Sequence, residues 1–80
     1  MVINPEQCRA ARALLDWSRT DLAEASGVGQ STISKFERRE RTPHRSNVAA
    51  LQASLEAAGV VFIEGGEAIG SGVQFRDPGK

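Results

Sequence analysis

Residues 18–38 read SRTDLAEASGVGQSTISKFER, and this stretch decides the fold of the 80-residue chain. Ser18 precedes Asp21 by three residues, which is a capping box with aspartate in place of the usual glutamate or glutamine, so a helix begins here. Gly27 can adopt the left-handed backbone conformation without a Cβ penalty, so it ends this helix and allows a sharp turn. Helical spacing resumes at Gln30. The stretch therefore predicts two short helices joined by a tight turn.

Apolar and polar side chains separate around the second of these helices. The small Ala23 allows the two helices to cross closely, and Ile33 and Phe36 have the spacing that turns them toward a core. The opposite face covers a fan of roughly 140° and carries no large apolar side chain, whereas Thr32 is projected inward. Its members are Gln30, Ser31, Ser34, Lys35 and Arg38. Such amide, hydroxyl and cationic groups can bond to base edges and phosphates in a DNA major groove, which admits one helix.

A first helix is predicted upstream of this stretch. Asn4 followed by Pro5 is a typical N-cap with proline at the first helical position, and helix-forming residues continue to about Asp16. Cys8 has the spacing of a core position and is interpreted as a small buried hydrophobe. Trp17 is expected to close the core between the first two helices.

A fourth helix and a hairpin are predicted downstream. Ser46 is expected to cap a helix over about residues 47–58, with Gly59 as its stop. Residues 60–64 are β-branched and aromatic, and residues 72–76 alternate apolar with polar side chains, so these two segments predict an antiparallel hairpin. The expected fold class is mainly α: a four-helix core over residues 4–58 followed by a hairpin over residues 60–76, in a single domain, 1–80.

Composition excludes several classes of protein. The chain has 40% apolar and 25% charged residues and no uncharged apolar run near the roughly 20 residues of a membrane span. The N-terminal residues have no secretory signal pattern, and a cytoplasmic location is expected. The lone cysteine cannot form an intramolecular disulfide or a multi-cysteine metal site. With no catalytic, phosphate-binding or metal-ligand motif, we expect a non-enzyme without cofactor or metal.

Charge is unevenly distributed along a chain whose formal net charge is zero. Residues 30–45 contain five basic and two acidic side chains, whereas residues 46–80 contain two basic and four acidic ones. A positive segment on a neutral protein is typical of a phosphate-facing surface.

These features together resemble the phage-repressor and Cro-like helix-turn-helix domains of the XRE family. The resemblance spans about residues 6–58 and is carried by residues 18–28, residues 30–37 and the Arg-Thr-Pro at 41–43. It implies a repressor-like core whose second short helix is the recognition helix. The implied base-contacting residues are Gln30, Ser31 and Lys35, and the implied phosphate contacts are Arg19, Ser34, Arg38 and Arg41. A structural ion pair between Arg12 and Glu37 is also implied.

Two residues depart from the pattern of that family. Gly29 stands at the N-cap of the recognition helix, where serine or threonine is usual and where glycine costs only a few tenths of a kcal/mol. Arg39 stands where the family commonly has glycine, so the following loop is expected to differ in path. Arg39 and Arg45 are left as either solvated charges or DNA contacts.

The hairpin carries more apolar side chains than one small helical core would cover, so two arrangements stay open. In the first, hairpins of two chains form a shared sheet and the protein is a homodimer. The dimerisation residues would then be Val60, Phe62, Ile63, Val73 and Phe75. In the second, the hairpin packs on its own fourth helix and the protein is a monomer.

The predicted function is a sequence-specific transcriptional regulator that binds double-stranded DNA as a repressor-like dimer. The main alternative is an antitoxin-type interaction module that neutralises a partner protein such as a toxin, and a weaker one is a bridging coactivator. The polar helix face favours DNA, and the acidic, apolar hairpin end is compatible with dimerisation or with a protein partner.

Overall fold

The computed structural model describes residues 2–64 and 72–75 and has the predicted mainly α architecture. The four helices are α1 (Pro5–Leu15), α2 (Arg19–Ser26), α3 (Gln30–Glu37) and α4 (Arg45–Ala57). The strands β1 (Val60–Ile63) and β2 (Gly72–Phe75) follow and form a two-stranded antiparallel sheet. No helix within the described ranges is long and apolar enough to span a membrane.

The local signals at the start of α1 and α2 act as predicted. Asn4 accepts a hydrogen bond from the backbone N–H of Gln7 at 2.7 Å, and the side chain of Gln7 accepts one from the backbone N–H of Asn4 at 3.0 Å. The corresponding box of α2 joins Ser18 and Asp21 at 3.0 and 2.9 Å. Each box satisfies two backbone donors that a helix start leaves without partners.

Gly27 ends α2 with a left-handed backbone, φ +78°. A Cβ placed there would meet no atom within 4 Å beyond those of the two neighbouring residues in the chain. The backbone conformation, rather than lack of space, therefore selects glycine at this turn. The turn sets α3 across α2 and so determines where the polar face of α3 lies.

The start of α4 differs from the prediction. The helix begins at Arg45, and Ser46 lies inside its first turn, so the predicted capping role of Ser46 was wrong. His44 is the N-cap, and its backbone carbonyl accepts from the N–H groups of Asn47 and Val48 at 2.9 and 3.2 Å. Pro43 disfavours helix only in the residue before it, so the helix can begin closer to Pro43 than the polar loop suggested.

The hairpin packs against the helices of its own chain. Val60 pairs with Phe75 and Phe62 with Val73 in the antiparallel register. Val60 and Phe62 are buried and belong to the same core as α1, α3 and α4, and Val73 packs partly against it. Residues 65–71, which connect the two predicted strands, and the last predicted strand residue, 76, lie outside the described residues.

The core is continuous from the N-terminal segment to the hairpin. Its members are Ile3, Cys8, Ala11, Leu22, Val28, Ile33, Phe36, Val48, Leu51, Leu55, Val60 and Phe62. Trp17 and Leu15 pack partly buried against it, and Trp17 lies in the connection between α1 and α2.

Candidate nucleic-acid interface

The polar face of α3 is directed away from the core. Gln30 and Ser31 are exposed, and Ser34 and Lys35 are half-buried. On the opposite face Ile33 is 0% exposed, which fixes the rotation of the helix about its axis. A helix of eight residues is about 12 Å long, so its two turns present one compact set of polar groups.

Gly29 is the N-cap of α3, and it makes no side-chain capping hydrogen bond. Its carbonyl still accepts from the N–H of Ile33 at 3.1 Å, so the helix begins where it is predicted to begin. The missing capping oxygen leaves the first turn of α3 open toward an outside acceptor.

A polar groove separates the start of α3 from the start of α4. It has a volume of about 410 Å³. The α3 wall is formed by Ser31, Thr32 and Lys35, and the opposite wall by Arg41, Thr42, Pro43, His44 and Asn47. Two residues assigned to base contact and one assigned to phosphate contact, Ser31, Lys35 and Arg41, thus line one groove.

Of the eight residues that line this groove, three were assigned to the site from the sequence. Thr32 is half-buried and lines it, although the helical projection turned this residue inward. His44 and Asn47 were not assigned to the site at all. The basic loop before α4 could have indicated this part of the groove. A helix that begins directly after such a loop places the positive end of its dipole next to the basic side chains.

An ion pair between α1 and α3 lies behind the polar face. Glu37 has a side chain that is 0% exposed, and it accepts from the Nε and Nη2 atoms of Arg12 at 2.8 and 2.7 Å. Nη1 of Arg12 donates to the carbonyl of Trp17 at 3.1 Å. The structure therefore brings together the two residues that the resemblance paired, with the parallel fork geometry that makes arginine–carboxylate bonds strong.

Two further donors reach the same carboxylate. The thiol of Cys8 donates to Oε2 of Glu37 at 3.2 Å, and Nε of Arg19 donates to Oε1 at 3.2 Å. Burial by itself raises the pKa of Glu37, but the bonds from Arg12, Cys8 and Arg19 outweigh it and the pKa is lowered. Burial and the adjacent carboxylate raise the pKa of the Cys8 thiol far above its usual range. The cluster holds an ionised carboxylate and a neutral thiol.

The three arginines that follow α3 point in different directions. Arg39 has a left-handed backbone, φ +59°, which explains the usual glycine at this position. Its guanidinium forms an ion pair with Glu6 at the start of α1, with Nε to Oε2 at 2.9 Å. Arg38 pairs with Glu40 at 3.0 Å, whereas Arg41 is exposed on the groove wall. Of the loop arginines in the described chain, Arg41 has the groove-facing position.

The residues assigned to dimerisation divide between the inside and the outside of the chain. Val60 is 0% and Phe62 9% exposed within a single chain, so neither needs a partner for its burial. Ile63 is 36% exposed and belongs to the outer sheet face. The side chain of Phe75 lies outside the described atoms.

The sequence profile of the helix-turn-helix family matches residues 9–56. The chain belongs to the XRE-type helix-turn-helix family, which confirms the resemblance seen in the sequence. An uncharacterized HTH-type transcriptional regulator of Mycobacterium tuberculosis (strain ATCC 25618 / H37Rv) is 45% identical over 47 residues, covering 59% of this chain and 18% of the relative. A regulator of the same description from Mycobacterium bovis matches equally well. The match thus spans less than a fifth of the length of these relatives.

Proposed function

We propose that this protein is a transcriptional regulator that binds double-stranded DNA and reads its sequence with α3 in the major groove. The single observation that carries the proposal is the polar face of α3, held outward by the buried Ile33, Phe36 and Glu37. The family to which the chain belongs and the naming of its relatives support the same function.

The base-reading role falls to Gln30, Ser31 and Lys35. Gln30 opens the helix and can bond bidentately to adenine, and Ser31 and Lys35 present a hydroxyl and an ammonium from the wall of the groove. A major groove about 12 Å wide accommodates one helix, and these three residues lie on the face of α3 that would be turned toward its base edges.

Phosphate contacts are assigned to the margin of this face. Arg19 and Ser34 lie on α2 and α3, and Arg41 lies on the groove wall. Arg38 would have to exchange its contact with Glu40 for a phosphate. Contacts of this class orient the protein on the duplex and make its affinity fall with salt.

A homodimer is the assembly that we propose for the regulator. Its interface would use the outer face of the hairpin, where Ile63 is exposed, because Val60 and Phe62 are already buried within the chain. A twofold dimer should recognise a palindrome with half-site centres about 10 bp apart, or a multiple of this. Sedimentation at micromolar concentration tests the assembly. A monomer that still binds DNA would refute the proposed dimer without refuting the proposed function.

Selection of bound sequences from a random duplex pool tests the function. We expect enrichment of one short motif, bound with an affinity that falls steeply between low and moderate salt. Retention of no duplex at low ionic strength would refute DNA binding. Co-purification with a neutralised toxin, in the absence of an enriched motif, would establish the interaction-module alternative instead.

A further inference from the structure

The carboxylate of Glu37 is shared by more donors than a structural pair requires. Its two oxygens accept two bonds from Arg12, one from Cys8 and one from Arg19. A carboxylate has about four lone-pair positions, so Arg19 occupies the last of them. The positive charge of Arg12 alone would balance the carboxylate of Glu37. The contact with Arg19 is therefore not required for charge neutralisation.

The contact uses only one edge of the Arg19 guanidinium. Nε donates to Glu37, and the side chain of Arg19 is 42% exposed. Arginine has five N–H donors, and four of them belong to the two Nη atoms. Within residues 2–64 and 72–75 those four donors have no hydrogen-bond partner, so the outer edge of the guanidinium is available to an outside acceptor.

Glu37 is a rigid anchor for this arginine. It ends α3, its side chain is fully buried, and the two bonds from Arg12 fix the plane of its carboxylate. Arg19 is the first residue of α2, the helix that crosses the DNA backbone in helix-turn-helix complexes. The bond to Glu37 therefore fixes the Arg19 guanidinium relative to the recognition helix. Without that bond, its position would depend on the flexible side chain of Arg19 alone.

We propose that Glu37 is a positioning residue for DNA binding: it holds the Nε of Arg19 so that the two Nη atoms are presented to a backbone phosphate beside α3. The proposal rests on the proposed function and adds the residue that preorganises one phosphate contact. A phosphate oxygen pair matches the outer fork of a guanidinium, so one arginine can bond to Glu37 and to DNA at the same time. Lysine lacks this fork, because its compact ammonium cannot present one edge to Glu37 and a second, parallel pair of donors to a phosphate.

A double-mutant cycle on the full chain tests the proposal. Arg19→Ala, Glu37→Gln and the double variant are compared by the affinity for the selected duplex over a salt series. We expect Arg19→Ala to reduce the slope of log affinity against log salt by about 0.9, the value of one phosphate contact. In the Glu37→Gln background, Arg19→Ala should reduce the affinity by a smaller factor, because Arg19 is no longer positioned there. If the affinity loss of the double variant equals the product of the two single losses, the proposal is overturned.

Arg19→Lys supplies a second readout that leaves Glu37 and the α1–α3 pair intact. We expect it to lose affinity nearly as Arg19→Ala does, although the charge is kept; full retention of affinity would overturn the proposal. Arg9→Ala is the matched control, since Arg9 is an exposed arginine of α1 whose ion-pair partner within the described residues is the exposed Glu6. It should leave affinity and salt slope unchanged.

Hydrogen exchange at the Arg19 Nε–H in the DNA-free protein separates this proposal from the proposed function. The Nε–H resonance should exchange slowly with water in the wild-type chain and rapidly in Glu37→Gln, with the Arg9 resonance rapid in both. Fast exchange in the wild-type chain would refute the positioning even if DNA is bound. Slow exchange in a chain that retains no duplex would support the contact between Arg19 and Glu37 but refute the DNA-binding function, and with it the phosphate contact. If Glu37→Gln does not fold, Arg19→Lys and the wild-type exchange rate decide the matter.

Discussion

The side-chain nitrogen of Gln7 donates a hydrogen bond to the backbone carbonyl of Ile63 at 3.0 Å, across 56 residues of sequence. The same nitrogen donates to the carbonyl of Gly72, the register partner of Ile63, at 3.1 Å. Gln7 is only 3% exposed, and its oxygen completes the capping box of α1. One amide therefore starts the first helix and attaches the hairpin to it.

Gln7→Ala should destabilise the protein by about 1–3 kcal/mol, because it removes the donor to two partly buried carbonyl oxygens and half of a capping box. Urea unfolding followed by far-UV circular dichroism measures the change. Gln52→Ala is the matched control, since in the part of the chain that the structure describes the Gln52 amide bonds to Glu56, one turn away on α4. This substitution should shift stability by less than about 0.5 kcal/mol. Equal effects of the two substitutions would contradict the attachment of the hairpin through Gln7.

Glu37 should make stability sensitive to acid. Its pKa is lower in the folded chain than the ordinary value of 4.5, so the folded state binds fewer protons than the unfolded state as pH falls through that region. The contribution of Glu37 is present above the unfolded pKa and is lost as pH falls through the folded pKa. Unfolding free energies between pH 7 and pH 3 should therefore decline less steeply in Glu37→Gln than in the wild-type chain. Parallel declines would show that other carboxylates account for the acid sensitivity.

Cys8 should produce the opposite dependence at alkaline pH. Its pKa is raised on folding, so its contribution is complete below the pKa of an unfolded thiol, about 8.5, and is lost as pH rises beyond it toward the folded value. The thiol is 0% exposed. A disulfide reagent should therefore modify it only at the rate of opening of the fold, and Cys8→Ala should remove the alkaline loss. Immediate modification at pH 7 would contradict the burial.

Arg39→Gly should be more stable than Arg39→Ala by about 1 kcal/mol, because alanine retains the Cβ that opposes a left-handed backbone. Both variants lose the ion pair with Glu6, so their difference isolates the backbone. Arg38 provides the control: its φ is −90°, and there the glycine variant should be the less stable one. Thermal unfolding of the four variants measures which of glycine and alanine is the more stable at each position. If the same residue is the more stable one at both positions, the backbone of Arg39 does not explain the difference.

Lys35→Ala should weaken binding to the selected duplex by about 1–3 kcal/mol and leave binding to random DNA nearly unchanged, as expected of a base contact. Fluorescence anisotropy at one fixed salt concentration measures both affinities. Equal losses on the two duplexes would reassign Lys35 to a phosphate.

Short-range signals predicted much of this protein. The N-cap of α1 at Asn4, the capping box of α2, the glycine turn at Gly27 and the inward spacing of Ile33 and Phe36 each depend on a few neighbouring residues. A cap, a positive φ or a helical period depends on atoms that are already close along the chain. The four helices and the hairpin could therefore be predicted, and with them the polar face of α3.

Only the tertiary structure decided which distant groups meet. Nothing in the sequence pairs Gln7 with the hairpin, adds Cys8 and Arg19 to the carboxylate of Glu37, or turns Arg39 to Glu6. These contacts depend on the angles at which the helices pack, and those angles are set by the whole core at once. The sequence by itself determined the elements and the chemistry of their faces, whereas packing determined which side chains share one site.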